Sequence, residues 1–193
     1  MKLCIASQNR NKITEFQVFL SGNFELVLPV DFGITDELPE TGNTLESNAL
    51  QKARFIHQKF KVNCFADDSG LEVESLNNEP GVYSARYAGE QRNANDNMDL
   101  LLKKLENKSN RSACFKTVIA LIIDNKEYIF EGKMEGEITR ERRGNNGFGY
   151  DPIFVPHGFS KTFAEMNSDE KNAISHRAMA VKKLVNFLNK YAG

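Results

Sequence analysis

The sequence predicts an α/β domain built on a mixed sheet. Short apolar runs alternate with stretches whose apolar residues recur at helical spacing, and Val118 to Ile123 has the β-branched composition of a central strand. No linker rich in Pro, Gly or Ser divides the 193 residues. A chain of that length buries a substantial core without disulfides or structural metals, so a single domain over 1–193 is expected.

The elements follow in order. Leu3 to Ala6 reads as a buried first strand that feeds a polar loop, Ser7 to Lys12, and then a helix over about 13–20. Phe24 to Val30 reads as a second strand, stopped near Pro29. From Asn43 the pattern becomes helical, with Leu45, Ala49, Ala53, Ile56 and Phe60 on one side; Asn43 and Glu46 have the spacing of a capping box. Asn48 and Lys52 lie four apart on a flank of that helix and point the same way. Cys64-Phe65-Ala66 is a short strand running into Asp67-Asp68-Ser69-Gly70, after which Leu71 to Leu76 alternates like a half-exposed strand. Asn77 to Gly81 is a turn cluster, and Asn95 to Leu105 a helix with Met98, Leu101, Leu102 and Leu105 on one face. Asp124-Asn125 turns the central strand into a hairpin partner over 127–133. A glycine-rich loop spans Gly144 to Pro152. One last helix is expected from Asp169 to Tyr191, with Ile174, Ala178, Val181, Leu184, Val185 and Leu188 inward.

Composition narrows the function. The 25 basic and 26 acidic residues leave a net charge of -1, which gives no general attraction to nucleic acid or an anionic membrane. The three cysteines, Cys4, Cys64 and Cys114, are widely spaced and read as free buried thiols of a reducing compartment. The opening apolar run turns polar at Ser7, too short for a signal peptide, and no stretch approaches the roughly 20 apolar residues of a membrane span. The expected location is the cytoplasm. Zinc-ligand spacing, a G-x-S-x-G elbow and a Cys/His pair are all missing from the sequence, which disfavours metal-thiolate and acyl-enzyme chemistry.

Several segments carry candidate chemistry. Ser7-Gln8-Asn9-Arg10-Asn11-Lys12 delivers a hydroxyl, amides and cations to a helix N-terminus, a setting that cradles phosphates, although taken alone a capped polar turn is the simpler reading. Asp67-Asp68 would be costly without a nearby cation, and Mg²⁺ is commonly held by one or two carboxylates; an ordinary Asx turn is the other reading. Glu40, just before the Asn43 helix, could add a carboxylate or belong to a solvated loop. Phe148, between Gly147 and Gly149, can lie against a planar ligand or tuck into the core. Lys171, His176 and Arg177 gather cations where a helix dipole disfavours them, which points to an anionic or acceptor-rich ligand or else to surface ion pairs. His57 and His157 show no partner spacing.

The order of the motifs is more specific than any one of them. Ser7-x-Asn9-x-x-Lys12, Glu40-Thr41-Gly42-x-Thr44, Asn48-Ala49 with Lys52-Ala53, Ala66 to Leu71, Pro80-Gly81-Val82-Tyr83-Ser84-Ala85-Arg86-Tyr87, Gly147 to Pro152 and Ser175-His176-Arg177 together resemble the inosine triphosphate pyrophosphatase family, in its bacterial dITP/ITP/XTP branch. The resemblance covers essentially the whole chain. It implies a long mixed sheet with flanking helices, two lobes around a central active-site cleft, a homodimer, and Mg²⁺-dependent conversion of a nucleoside triphosphate to monophosphate and pyrophosphate. It further implies that Ser7, Gln8, Asn9, Arg10, Asn11 and Lys12 bind the triphosphate with Lys52. Asp68 would be general base and metal ligand, Glu40 the second metal carboxylate, and Ser69 a contact in the phosphate region. Phe148 would stack on the base, Gly149, Tyr150 and Asp151 would line its pocket, and Lys171, His176 and Arg177 would read its edge. Leu45 and Ser47 depart from the family's frequent Phe and Glu, which leaves the second metal carboxylate less defined. A catalytically silent nucleotide-binding module and a triphosphatase for modified pyrimidines are the rival readings; the intact Asp67-Asp68 pair argues against the first.

Overall fold

The computed structural model describes residues 2–20 and 24–191. Strands β1 (Lys2–Ile5), β2 (Glu25–Val27), β3 (Cys64–Val73), β4 (Glu79–Pro80), β5 (Ser112–Ile123), β6 (Lys126–Ile138) and β7 (Phe154–Pro156) form one seven-stranded sheet, ordered β2-β1-β3-β5-β6-β7 with β4 paired to β3. β1 runs parallel to β2 and β3, whereas β4 is antiparallel to β3 and β7 to β6, so the sheet is mixed as expected. Its helices are α1 (Arg10–Leu20), α2 (Leu45–Phe60), α3 (Ala94–Lys104), α4 (Ser168–Ile174) and α5 (His176–Tyr191).

The chain divides into two compact units. One holds the described residues up to Asp68, Thr117–Gly132 and those from Met179; the other holds Ser69–Lys116 and Lys133–Ala178. In the first unit, Leu3 and Ile5 of β1, Phe65 of β3 and Ile119, Leu121 and Ile123 of β5 pack against Phe16 and Leu20 of α1 and Ala180, Val181, Leu184 and Leu188 of α5. Phe16 meets Phe65 edge-on at 5.0 Å. The alternate residues of those strands face the other way, where the Cys64 thiol donates to the carbonyl of Ala53 in α2 at 3.2 Å. In the second unit, Leu71 and Val73, the α3 residues Met98, Leu101 and Leu105, and Phe115, Phe154 and Phe163 make a separate core.

Local chemistry explains most boundaries. Asp124 and Asn125 both have positive φ, 48° and 62°, the backbone of a tight two-residue hairpin turn, and they join β5 to β6 as expected. α3 starts from Asn93, whose side chain accepts from the Asn95 and Asp96 amides. Five expectations change. The polar Asp67-Asp68-Ser69-Gly70 stretch is not a loop after a short strand; β3 runs unbroken through it to Val73, because its buried carboxylates find partners on either side of the strand. The capping box of α2 belongs to Thr44 and Ser47 rather than Asn43 and Glu46, since Thr44 has the extended backbone of a cap and its hydroxyl accepts the Ser47 amide at 3.0 Å. The single C-terminal helix is two: Ser175 is extended (ψ 153°), ends α4, and places its hydroxyl 3.2 Å from the Ala178 amide to start α5. Pro29–Phe32 and Glu74–Leu76 each form a turn of 3-10 helix, which shortens β2 and ends at Val73 the strand expected to reach Leu76.

Cys4 and Cys64 are buried free thiols, pushed up to about 12 by burial, while Cys114 is only half-buried. No helix among the described residues is long and apolar enough to cross a membrane.

Leu184 is fully buried where α5 meets the sheet. Leu184→Ala should therefore cost about 2–5 kcal/mol, read as a lower urea midpoint at unchanged slope. A loss well under 1 kcal/mol would show that α5 does not anchor this core.

Candidate active site

Each unit carries a cluster of buried polar side chains that includes residues singled out in the sequence. In the first, β3 presents two adjacent carboxylates, and neighbouring residues on a strand point to opposite faces. Asp67 Oδ2 lies 2.8 Å from Lys12 Nζ of α1, and Asp68 Oδ2 accepts from Asn48 Nδ2 of α2 at 3.0 Å. Lys52, one helical turn beyond Asn48, donates to the Asp67 carbonyl at 2.7 Å and pairs with Glu40. Asn48 also accepts the Gly42 amide at 2.8 Å, and Gln51 and Thr41 exchange two bonds of 2.9 Å, so α2 holds the Glu40 loop in place.

The electrostatics follow from that geometry. Burial pushes the Asp68 carboxyl above its usual range; Lys52 and Lys12 pull it back, and Glu40 adds repulsion. Burial opposes the charge on Lys52, but Asp68, Glu40 and Asp67 together hold its pKa above the ordinary lysine value. Glu40 meets the same opposition from burial, and Lys52 overcomes it, leaving the carboxyl below its usual range. Among the described residues no three His, Cys, Asp or Glu side chains converge to hold a metal. The cluster instead offers a pair of oxygen donors beside two ammonium groups.

The Ser7 to Lys12 loop opens α1. Ser7 Oγ accepts the Asn9 amide at 3.3 Å, and Asn9 Oδ1 accepts the Lys12 amide at 3.2 Å. Gln8 braces a neighbouring loop, donating to the carbonyls of Thr35 and Asp36 and accepting the Leu38 amide at 3.2 Å. Arg10 and Asn11 are exposed on the first turn of the helix.

In the second unit the glycine loop and the α4–α5 junction meet. Lys171 Nζ lies 2.8 Å from Asp151 Oδ2, which also accepts the Phe148 amide at 2.8 Å. Gly147 has φ +74°, and a β-carbon there would collide with the Asp151 carboxylate, so only glycine lets the loop close on that oxygen. The half-buried Phe148 ring has Lys171 Nζ 4.8 Å and the Arg177 guanidinium 5.5 Å from its centre. Arg177 Nη2 donates to Ser69 Oγ at 3.3 Å, and Ser69 follows Asp68 in the chain. His176 stacks on Phe115 at 4.7 Å with planes 9° apart. Lys171, His176 and Arg177 are all buried, unlike a set of surface ion pairs.

Lys12, Glu40, Lys52 and Asp68 therefore gather in one cluster, and Ser69, Phe148, Asp151, Lys171 and Arg177 in the other. Tyr150, expected to line the base pocket, is buried with its hydroxyl on the Ser84 carbonyl at 2.8 Å. Asp67 as a partner of Lys12, Asn48 as a partner of Asp68, and Phe115 beneath His176 emerge only in the structure. The i, i+4 spacing of Asn48 and Lys52 was the available signal for the second; Phe115 sits in an ordinary apolar alternation and gave none.

The comparisons agree with this architecture. The family model described as the Ham1 family matches residues 3–187. The chain is 55% identical over 188 residues to a dITP/XTP pyrophosphatase of Flavobacterium johnsoniae, covering 97% of this chain and 98% of that one. Its identity to a dITP/XTP pyrophosphatase of Porphyromonas gingivalis is 51%, covering 97% of each. The solved structure of the Staphylococcus aureus Ham1 protein superposes with a TM-score of 0.92 at 40% identity, over 99% of this chain and all of the other. A family-model match over residues 3–187, with 55% identity across 97% of the chain, makes this chain a member of the Ham1 family.

Proposed function

We propose that the chain hydrolyses deaminated purine nucleoside triphosphates (ITP, dITP and XTP) to the monophosphate and pyrophosphate, clearing them from the nucleotide pool. The observation that carries this reading is identity of 46–55% along nearly the whole chain to relatives named dITP/XTP pyrophosphatase. The paired carboxylates and lysines of the first unit, and the aromatic ring with its cations in the second, are the chemistry such a substrate requires.

The triphosphate binds at Ser7, Gln8, Asn9, Arg10, Asn11 and Lys12, with Lys52 and Ser69 contributing. The α1 N-terminus and the lysines offset its negative charge. Glu40 and Asp68 suit Mg²⁺, a hard cation that takes oxygen ligands and commonly uses one or two carboxylates with phosphate oxygens. When bound, Mg²⁺ supplies charge neutralisation on the phosphates. Asp68 accepts a proton from the attacking water; the water oxygen bonds to the α-phosphorus, the bond from that phosphorus to the bridging oxygen breaks, and pyrophosphate leaves. A buried carboxyl pushed above its usual range is the stronger base for that task.

Phe148 stacks on the purine, an interaction worth roughly 1–3 kcal/mol. Gly149, Tyr150 and Asp151 shape the pocket, and Lys171, His176 and Arg177 read the base edge. Hypoxanthine and xanthine present an acceptor oxygen at the purine 6-position, where adenine presents an amino donor. A guanidinium only donates, so adenine leaves two donors opposed. In this reading all 193 residues act as one functional domain. The protein works as a cytoplasmic homodimer, with neither nucleic acid nor membrane as a partner.

Asp68→Asn should fold with a melting temperature near wild type yet lose about 10²–10⁴-fold in kcat for ITP; turnover like wild type would remove Asp68 from the role. Arg177→Ala should narrow the ITP-over-ATP ratio of kcat/KM by at least about 10-fold, and an unchanged ratio would contradict the donor argument. Chelating Mg²⁺ should abolish pyrophosphate release from XTP, and adding it back should restore release; metal-independent turnover would exclude the Glu40–Asp68 assignment.

A further inference from the structure

The segment Pro80 to Tyr87 has no part in the chemistry proposed above, yet the second unit is tied together through it. β4 is antiparallel to β3 with Val73 opposite Glu79 and Glu72 opposite Pro80. The next pair would be Leu71 with Gly81. Gly81, however, has φ +53° and turns the chain into a 3-10 helix, Gly81–Arg86, so the Leu71 amide loses its strand partner. The Ser84 hydroxyl takes its place, accepting the Leu71 amide at 2.9 Å while donating to the Gly81 carbonyl at 2.6 Å. A buried amide left without such a partner is costly.

Ser84 reaches a second element through its carbonyl, which accepts the Tyr150 hydroxyl at 2.8 Å and Asn97 Nδ2 at 3.4 Å. Asn97 also donates to the Ala85 carbonyl at 3.0 Å and accepts the Ala88 amide at 2.7 Å, which clamps the 3-10 segment onto α3. Leu71 is two residues after Ser69, the hydroxyl that meets Arg177. Tyr150 is two residues after Phe148. One buried serine thus holds both the strand that carries Ser69 and the loop that carries the stacking ring.

We propose that Ser84 and Tyr150 are positioning residues for base recognition: the bonds from Leu71 to the Ser84 hydroxyl and from Tyr150 to the Ser84 carbonyl set the spacing between Phe148 and the Arg177–Ser69 pair. This inference rests on the proposed nucleotide chemistry. It gives Tyr150 a role without contact to the base, acting from the core through the loop it anchors. The bonds lie wholly within the second unit, where Ser69 is the one residue assigned to the triphosphate, so their loss should loosen base reading far more than phosphate binding.

The test compares Tyr150→Phe, which keeps the buried ring and removes one oxygen, with Ser84→Ala. Both are assayed for KM and kcat with ITP and ATP, for competitive inhibition by inorganic tripolyphosphate, and for melting temperature. We expect KM for ITP to rise about 3- to 10-fold in each variant with kcat changed less than 2-fold, the size of one lost hydrogen bond. The ITP-over-ATP ratio should narrow, and the tripolyphosphate inhibition constant should stay within 2-fold of wild type. An unmoved ITP-over-ATP ratio in both variants overturns the proposal, as does tripolyphosphate binding that weakens in parallel with ITP, or loss of the folded state by Tyr150→Phe, since the bond would then serve stability alone. Wild-type protein run alongside separates the two claims: absence of ITP turnover there defeats the proposed function, whereas normal wild-type turnover with unmoved variants defeats only the anchor.

Discussion

Two adjacent carboxylates in the middle of a buried strand are the constraint to which the first unit is fitted. Asp67 and Asp68 interrupt what would otherwise be an apolar segment of β3, and uncompensated charge in such a place is expensive enough to force neutralisation or unfolding. The fold meets that cost with elements distant in sequence: Lys12 from the first helix, Asn48 and Lys52 from the second, and Glu40 from the loop before it. The same compensation keeps two ammonium groups beside Asp68, and in the proposed reaction those groups meet the triphosphate. Stability and chemistry at this strand draw on one set of charges.

The second unit resolves an analogous problem with aromatic rings. Lys171, His176 and Arg177 are buried, and their charge or polarity is met by Asp151, by Ser69 and by the faces of Phe148 and Phe115. The break at Ser175 matters here. An uninterrupted helix from 168 to 191 would carry His176 and Arg177 in its interior; the break instead sets them in the first turn of α5, with a serine hydroxyl capping the same end. Cations in that position oppose the helix dipole, and the purine oxygen assigned to Arg177 in the proposed reaction is an acceptor suited to it.

Much of the fold was legible in the sequence because it rests on local periodicity. The β5–β6 hairpin follows from a β-branched run and an Asp-Asn turn, and α3 from one apolar face behind an asparagine. What escaped was decided by long-range partners. Nothing local distinguishes Asp67-Asp68-Ser69-Gly70 as strand rather than loop, since polar residues with a glycine read as a turn until Lys12 and Asn48 are brought alongside. The α2 cap moved by one residue because Asn43 and Thr44 are both good caps and only backbone geometry chooses between them. For the site, single motifs left alternatives open at every position, and the ordered resemblance alone joined them. The partner relations of Asn48, Phe115 and Ser84 cross 20, 61 and 66 residues and became visible only in three dimensions.

In the proposed reaction the carboxylate and lysine cluster directs water to the α-phosphorus. Hydrolysis of XTP in ¹⁸O-enriched water, with the products separated by mass, tests it most directly. One ¹⁸O atom should appear in xanthosine monophosphate, with pyrophosphate unlabelled. Label in pyrophosphate or orthophosphate, with the monophosphate unlabelled, would contradict it.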